Sequence, residues 1–195
     1  MYTELNGKSK NIGTNEMIFN KKALEPTLDN NPIEVVDDKN RPLAVLAKSA
    51  VHRQLLKHRS VQILVLNPDG KIFLQKRNSK KQFFPGRWDI SARTHLLAGE
   101  STYDAGLRAL KENLNMEVEH LHLLNELPAG PETGFEHVTL YTVPKNIYPI
   151  VPNPDEVSEG FYYSQEELTC LVKEFKELLT PNLVLLWETG LLANI

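Results

Sequence analysis

Apolar and polar positions along the chain change period several times, and each change marks an element. Ile33-Glu34-Val35-Val36 and Leu43-Ala44-Val45-Leu46 flank the polar cluster Asp37–Pro42, which predicts a hairpin. Val61–Leu66 is apolar and β-branched, Asn67-Pro68-Asp69-Gly70 supplies turn residues, and Lys71–Arg77 reads as the partner strand. Lys48–Lys57 reads as a short helix or turn, and Asn78–Gly86 as a loop. From Ser101 the period becomes helical. Ser101 and Asp104 make a variant capping box, and Tyr103, Leu107, Leu110 and Leu114 form one apolar stripe. Gly106 within that stripe predicts close backbone packing, because glycine otherwise weakens a helix. Val138–Val143 and Gly160–Tyr163 read as strands. Ser164 and Glu167 cap a helix whose apolar period runs from Leu168 to Leu179, and Thr180-Pro181 opens a last one. Strands and helices are intermixed, so the pattern predicts one α/β or α+β domain over 33–195, preceded by an arm over 1–32.

The chain has 195 residues, with 22 Lys+Arg against 25 Asp+Glu and a formal net charge of −3. That balance lacks the basic field of a general nucleic-acid binder. No apolar run reaches the roughly 20 residues that cross a bilayer, and residues 1–20 show no apolar signal core. A single cysteine, Cys170, excludes a disulfide framework, reads as a buried inert thiol, and fits a reducing, cytoplasmic setting.

The segment Thr94–Met116 reads T-H-L-L-A-G-E-S-T-Y-D-A-G-L-R-A-L-K-E-N-L-N-M. It resembles the Nudix box, G-x5-E-x7-R-E-U-x-E-E-x-G-U, where U is aliphatic. Glu100, Arg108, Leu110, Glu112 and Met116 match. Thr94, Ala109, Asn113 and Asn115 depart from the pattern, and two of those departures remove glutamates. Upstream, Pro85-Gly86-Arg87-Trp88 and Leu74-Gln75-Lys76-Arg77 resemble further Nudix features. Val51-His52-Arg53, His58-Arg59 and Thr180-Pro181 resemble the branch close to isopentenyl-diphosphate isomerase.

The resemblance implies a Nudix-type α/β/α sandwich with a mixed sheet. It also implies metal-assisted hydrolysis of a diphosphate linkage in a small nucleoside-diphosphate-like substrate. Carboxylates on one helical face bind Mg²⁺ or Mn²⁺ in that family, since hard cations prefer oxygen. On that frame Glu112 is the catalytic metal ligand, Glu100 and Glu136 assist, and Arg108 is structural. Ala109, Glu112 and Asn113 would share the metal-facing side, so the loss of two carboxylates predicts weak or single metal binding. Arg93, Arg77 and Arg87 are the candidate substrate-binding cations. The alternative is a non-catalytic nucleotide- or diphosphate-binding module.

The isomerases use three histidines and two glutamates for one metal. His58 and His95 fall on two of those histidines, and His52 falls near the third. Their reading stays open between a residual metal site and ordinary hydrogen-bonded histidines. The isomerase's catalytic cysteine falls at Arg93 and one of its glutamates at Gly134, which argues against isomerase activity.

Overall fold

The computed structural model describes residues 31–193, and the expected arm lies outside them apart from its last two residues. The predicted hairpin is present as β1 (Pro32–Val36) and β2 (Pro42–Ala47), paired antiparallel. Helix α1 (Lys48–Arg53) leads into β3 (His58–Val65), the central strand. Next come β4 (Ile72–Arg77), the two-residue β5 (Trp88–Asp89), β6 (Ala92–His95) and α2 (Thr102–Leu114). Then follow β7 (His122–Leu127), β8 (Glu136–Val143), β9 (Val157–Tyr163), α3 (Gln165–Glu174) and α4 (Pro181–Glu188).

The larger sheet runs β2-β1-β3-β8-β7, with β6 also paired to β3. It is mixed, because β3 and β8 are parallel while its other pairs are antiparallel. The smaller sheet is β5-β4-β9. Side chains alternate along β3, so its two faces enter different cores. Val61, Ile63 and Val65 pack with Ala105, Ala109, Leu110 and Leu114 of α2. Leu64 packs with Leu74, Leu140 and the apolar sides of α3 and α4. Helices therefore cover both faces of the sheet, as the sandwich expectation required.

The α2 cap forms as read. Ser101 Oγ accepts from the Asp104 N–H and donates to the Asp104 carboxylate. Leu110 and Leu114 are fully buried, while Leu107 is half-buried at the margin. A Cβ on Gly106 would come within 2.6 Å of Leu121 Cδ1, which is the close packing its position implied. We expect Leu110→Ala to destabilise the fold by about 2–5 kcal/mol, the range for opening a leucine-sized cavity. Denaturant unfolding checks this, and a change below about 1 kcal/mol would show that the α2 stripe is not core.

Three details differ from the sequence reading. Strand β4 is not the sheet partner of β3: past the Asn67–Gly70 turn the two pair only through the Leu66–Ile72 bridge, and β4 joins the smaller sheet between β5 and β9. The C-terminal apolar period does not stay helical to Leu179: α3 ends at Glu174, a 3-10 turn covers Lys176–Leu178, and Phe175 and Leu178 are exposed. Cys170 is exposed, not buried, because it falls off the Leu168/Val172 line that faces the core.

Candidate metal centre and active site

Four chain segments converge at one end of β3. His58 opens β3, His95 closes β6, Glu136 opens β8, and His52 lies in α1. Strand register brings them together: His58 is paired with Glu136, and Ser60 with His95. The rings of His52, His58 and His95 lie 4.8–5.1 Å apart between centroids. One ring nitrogen from each falls within 4.8 Å of the others.

The chemical state of these rings favours a ligand. His58 Nδ1 donates to the Leu56 carbonyl at 2.8 Å, which leaves the Nε2 lone pair inward. Nε2 of His52, His58 and His95 are all buried without a protein hydrogen bond. Burial pushes the pKa of His52 down to about 4 and of His95 down to about 3, and lowers that of His58. At neutral pH the three imidazoles are uncharged, which is the form that binds a metal. Orphaned buried polar atoms need an explanation, and a shared cation supplies one. The three histidines thus fit a divalent ion.

Glu136 lies beside them, with its side chain 7% exposed. Burial alone would raise its pKa. The charge of Arg93 outweighs that, aided by His95, and holds the carboxyl well below the usual carboxylate range. Arg93 Nη2 donates to both carboxylate oxygens at 3.0 Å, and His95 Nε2 lies 3.4 Å from Oε1. Arg93 also faces the Asn182 amide at the start of α4; with that amide turned so that its oxygen points inward, the oxygen accepts from Arg93 and from Gln62 Nε2.

The Nudix-box residues form a second cluster, centred on Arg108. Its guanidinium donates to both oxygens of Glu100 at 2.8 Å, to Thr94 Oγ1 and Glu112 Oε2 at 3.1 Å, and to the His95 carbonyl at 2.9 Å. Arg108 therefore ties α2 to the strand that carries His95. Glu112 is at the surface with its side chain 50% exposed. The expectation that Ala109, Glu112 and Asn113 share one open face is not met. Ala109 is fully buried in the α2 core, and Asn113 is 5% exposed, its Oδ1 accepting from the Arg93 backbone N–H. Glutamates there would enter packed surroundings, so these positions cannot simply regain carboxylates.

The other two candidate cations brace the 78–87 loop. Arg77 donates to the Phe83 carbonyl and to the buried Asp89 carboxylate. Arg87 donates to the Leu179 carbonyl and lies over the Phe84 ring. Sequence reasoning passed over the cavity beside His52. It holds about 360 Å³ and is lined by Lys48, Ser49, His52, Arg53, Gln82 and Phe83. Its signal was the spacing of Lys48, Ser49, His52 and Arg53, which puts all four on one side of α1.

The NUDIX domain family model matches residues 56–183, well over half of the chain. The chain belongs to the Nudix family. An uncharacterized Nudix hydrolase of Escherichia coli, YfcD, is 28% identical over 155 residues, covering 73% of this chain and 79% of that protein. An isopentenyl-diphosphate Δ-isomerase of Brevibacterium linens is 26% identical over 160 residues, covering 78% and 87%. The crystal structure of DR0079 from Deinococcus radiodurans superposes with a TM-score of 0.69 at 20% identity, covering 81% and 98%. The fold is thus the Nudix fold. Among the described residues, no helix is long and apolar enough to cross a membrane.

Proposed function

We propose that this Nudix chain hydrolyses a diphosphate linkage in a nucleoside-diphosphate-like substrate, using one divalent metal held by His52, His58, His95 and Glu136. The observation that carries this is the convergence of one ring nitrogen from each of three uncharged imidazoles, whose Nε2 atoms are buried and of which only that of His95 lies near a protein acceptor, Glu136. Imidazoles suit transition metals better than Mg²⁺, so Mn²⁺ is the ion expected from the pair implied by the sequence. When bound, the ion supplies Lewis acidity at the diphosphate.

The chain's own residues do the rest. Arg93 keeps Glu136 ionised and oriented. Lys48 lines the cavity beside His52, where a cation meets an anionic substrate. The guanidinium of Arg93 stays protonated and cannot replace a thiol in proton transfer, so the isomerase reaction of the Brevibacterium relative is not proposed here. The surroundings are also polar. Ser60 and Gln62 share the β3 face of His58, and Ser60 Oγ and Gln62 Oε1 are buried without a hydrogen bond. A hydrocarbon tail would strand these groups further.

One observation favours a second reading, a binding module without turnover: the box positions Ala109 and Asn113 face the protein interior. Titration of the metal-free protein with Mn²⁺ and Mg²⁺, followed by a phosphate- and AMP-release screen over nucleoside diphosphate conjugates, tests both readings. We expect one Mn²⁺ site, Mg²⁺ at least about tenfold weaker, loss of the site in His95→Ala, and its retention in Glu112→Gln. Two sites, or loss in Glu112→Gln, would move the metal to the box. Tight Mn²⁺ and diphosphate binding without release would select the module.

A further inference from the structure

The cavity beside His52 has a composition that a bare diphosphate does not require. One wall is α1, which presents Lys48, Ser49, His52 and Arg53. The opposite wall is the 78–87 loop, which presents Gln82 and Phe83. Phe83 is an aromatic residue that remains 44% exposed. Its ring centroid lies 5.3 Å from that of His52, at an interplanar angle of 49°. Leaving a phenylalanine ring this open at the mouth of a site forgoes the stabilisation of burying it.

The loop that carries the ring is held in place. Arg77 Nε donates to the Phe83 carbonyl at 3.0 Å, Lys81 pairs with Glu156, and Asn78 Nδ2 donates to the Pro154 carbonyl at 2.6 Å. A fixed aromatic ring at the edge of a cavity of about 360 Å³ is a stacking platform. Around it stand groups that recognise a heterocycle edge: the Gln82 amide, which both donates and accepts, and the Arg53 guanidinium, which donates and stacks.

We propose that this cavity is a nucleobase subsite, in which a purine or pyrimidine ring stacks on Phe83 while Gln82 and Arg53 read its edge. A nucleoside diphosphate bound this way directs its diphosphate past His52 toward the histidine cluster. Stacking tolerates any base, so the subsite selects nucleotides as a class over diphosphates that lack a ring. This rests on the proposal that the histidine cluster holds a metal that binds diphosphate. The test is chosen to separate the two.

Calorimetric titration of the Mn²⁺-loaded protein compares ADP with inorganic diphosphate, in wild type, Phe83→Leu and Phe83→Trp. We expect Phe83→Leu to weaken ADP about tenfold, the scale of one lost base–aromatic stack. Inorganic diphosphate should stay within about twofold, and Phe83→Trp should restore ADP binding. Unchanged melting temperatures confirm that the variants fold. If Phe83→Leu changes neither ligand, or weakens both equally, the nucleobase subsite is overturned while the metal and diphosphate reading stands. If neither ligand binds the wild type, the metal and diphosphate reading falls, and this inference falls with it.

Discussion

Replacing Arg93 with alanine should destabilise the metal-free protein by about 3–5 kcal/mol, the usual cost of stranding one partner of a buried ion pair. The Glu136 side chain is 7% exposed, and Arg93 Nη2 contacts both of its oxygens. Without the guanidinium, the nearest ionisable neighbours are histidines that burial keeps uncharged. The carboxylate must then stay buried without a counter-charge, or take up a proton. A loss of this size is a large fraction of a typical folding stability of about 5–15 kcal/mol.

Two further measurements locate the cause. Adding Glu136→Gln to Arg93→Ala should recover part of the loss, because the stranded charge is gone. Saturating Mn²⁺ should raise the melting temperature of Arg93→Ala more than that of wild type, since the ion supplies the missing positive charge beside Glu136. Denaturant melts of the four proteins of the cycle check the first expectation. A single-variant loss below about 1 kcal/mol would mean that Arg93 and Glu136 are not a desolvated pair.

The sequence made the scaffold legible wherever an element buries one clear face. The α2 stripe, the existence of strands β3 and β4 and the caps at Ser101, Ser164 and Thr180 all follow from local pattern and are found in the fold, but the sheet that β4 joins does not. Strands β5, β6 and β7 left no such trace. In β6 the sequence Ala-Arg-Thr-His holds one apolar residue, because two of its positions serve the site. In β7 every residue but the last is exposed, so there is no buried alternation to read.

The site shows the same division. The box could be aligned residue by residue, yet alignment could not say that Ala109 and Asn113 turn inward, since that depends on how α2 packs against β3 and β6. The three histidines are spread over 44 positions by number, from His52 to His95. Only the register of β3, β6 and β8, with α1 laid across their end, brings them together. Burial adds what sequence cannot carry at all, the loss of charge that leaves three histidines in the form able to bind a metal.

That loss of charge predicts a steep acid dependence of stability, the second large effect. In the absence of metal, stability should fall as pH drops from 7 to 5. The sign follows from proton counting. His52 and His95 have folded values pushed down to about 4 and about 3, from an ordinary value of 6.5. Between the folded and ordinary values the unfolded chain binds more protons, so acid favours unfolding. The stabilisation is complete above about pH 6.5 and disappears as pH falls toward the folded values. At pH 5 the loss is about 2 kcal/mol for His95, and less for His52, which is nearer to solvent. His58 shifts in the same direction and steepens the slope. Lys48 and Arg93 oppose charging of the histidines, and Glu136 favours it without overcoming burial. Glu136 contributes only further down, because its own pKa is lowered and its stabilisation is lost below the ordinary carboxylate range. Urea melts at pH 7, 6 and 5 in the presence of a chelator measure the slope. His95→Asn should flatten it by close to one proton, since the amide does not titrate. A wild-type curve that stays level from pH 7 to 5 would show that the histidines titrate as they do in water, which would remove the electrostatic argument for a metal-ready site.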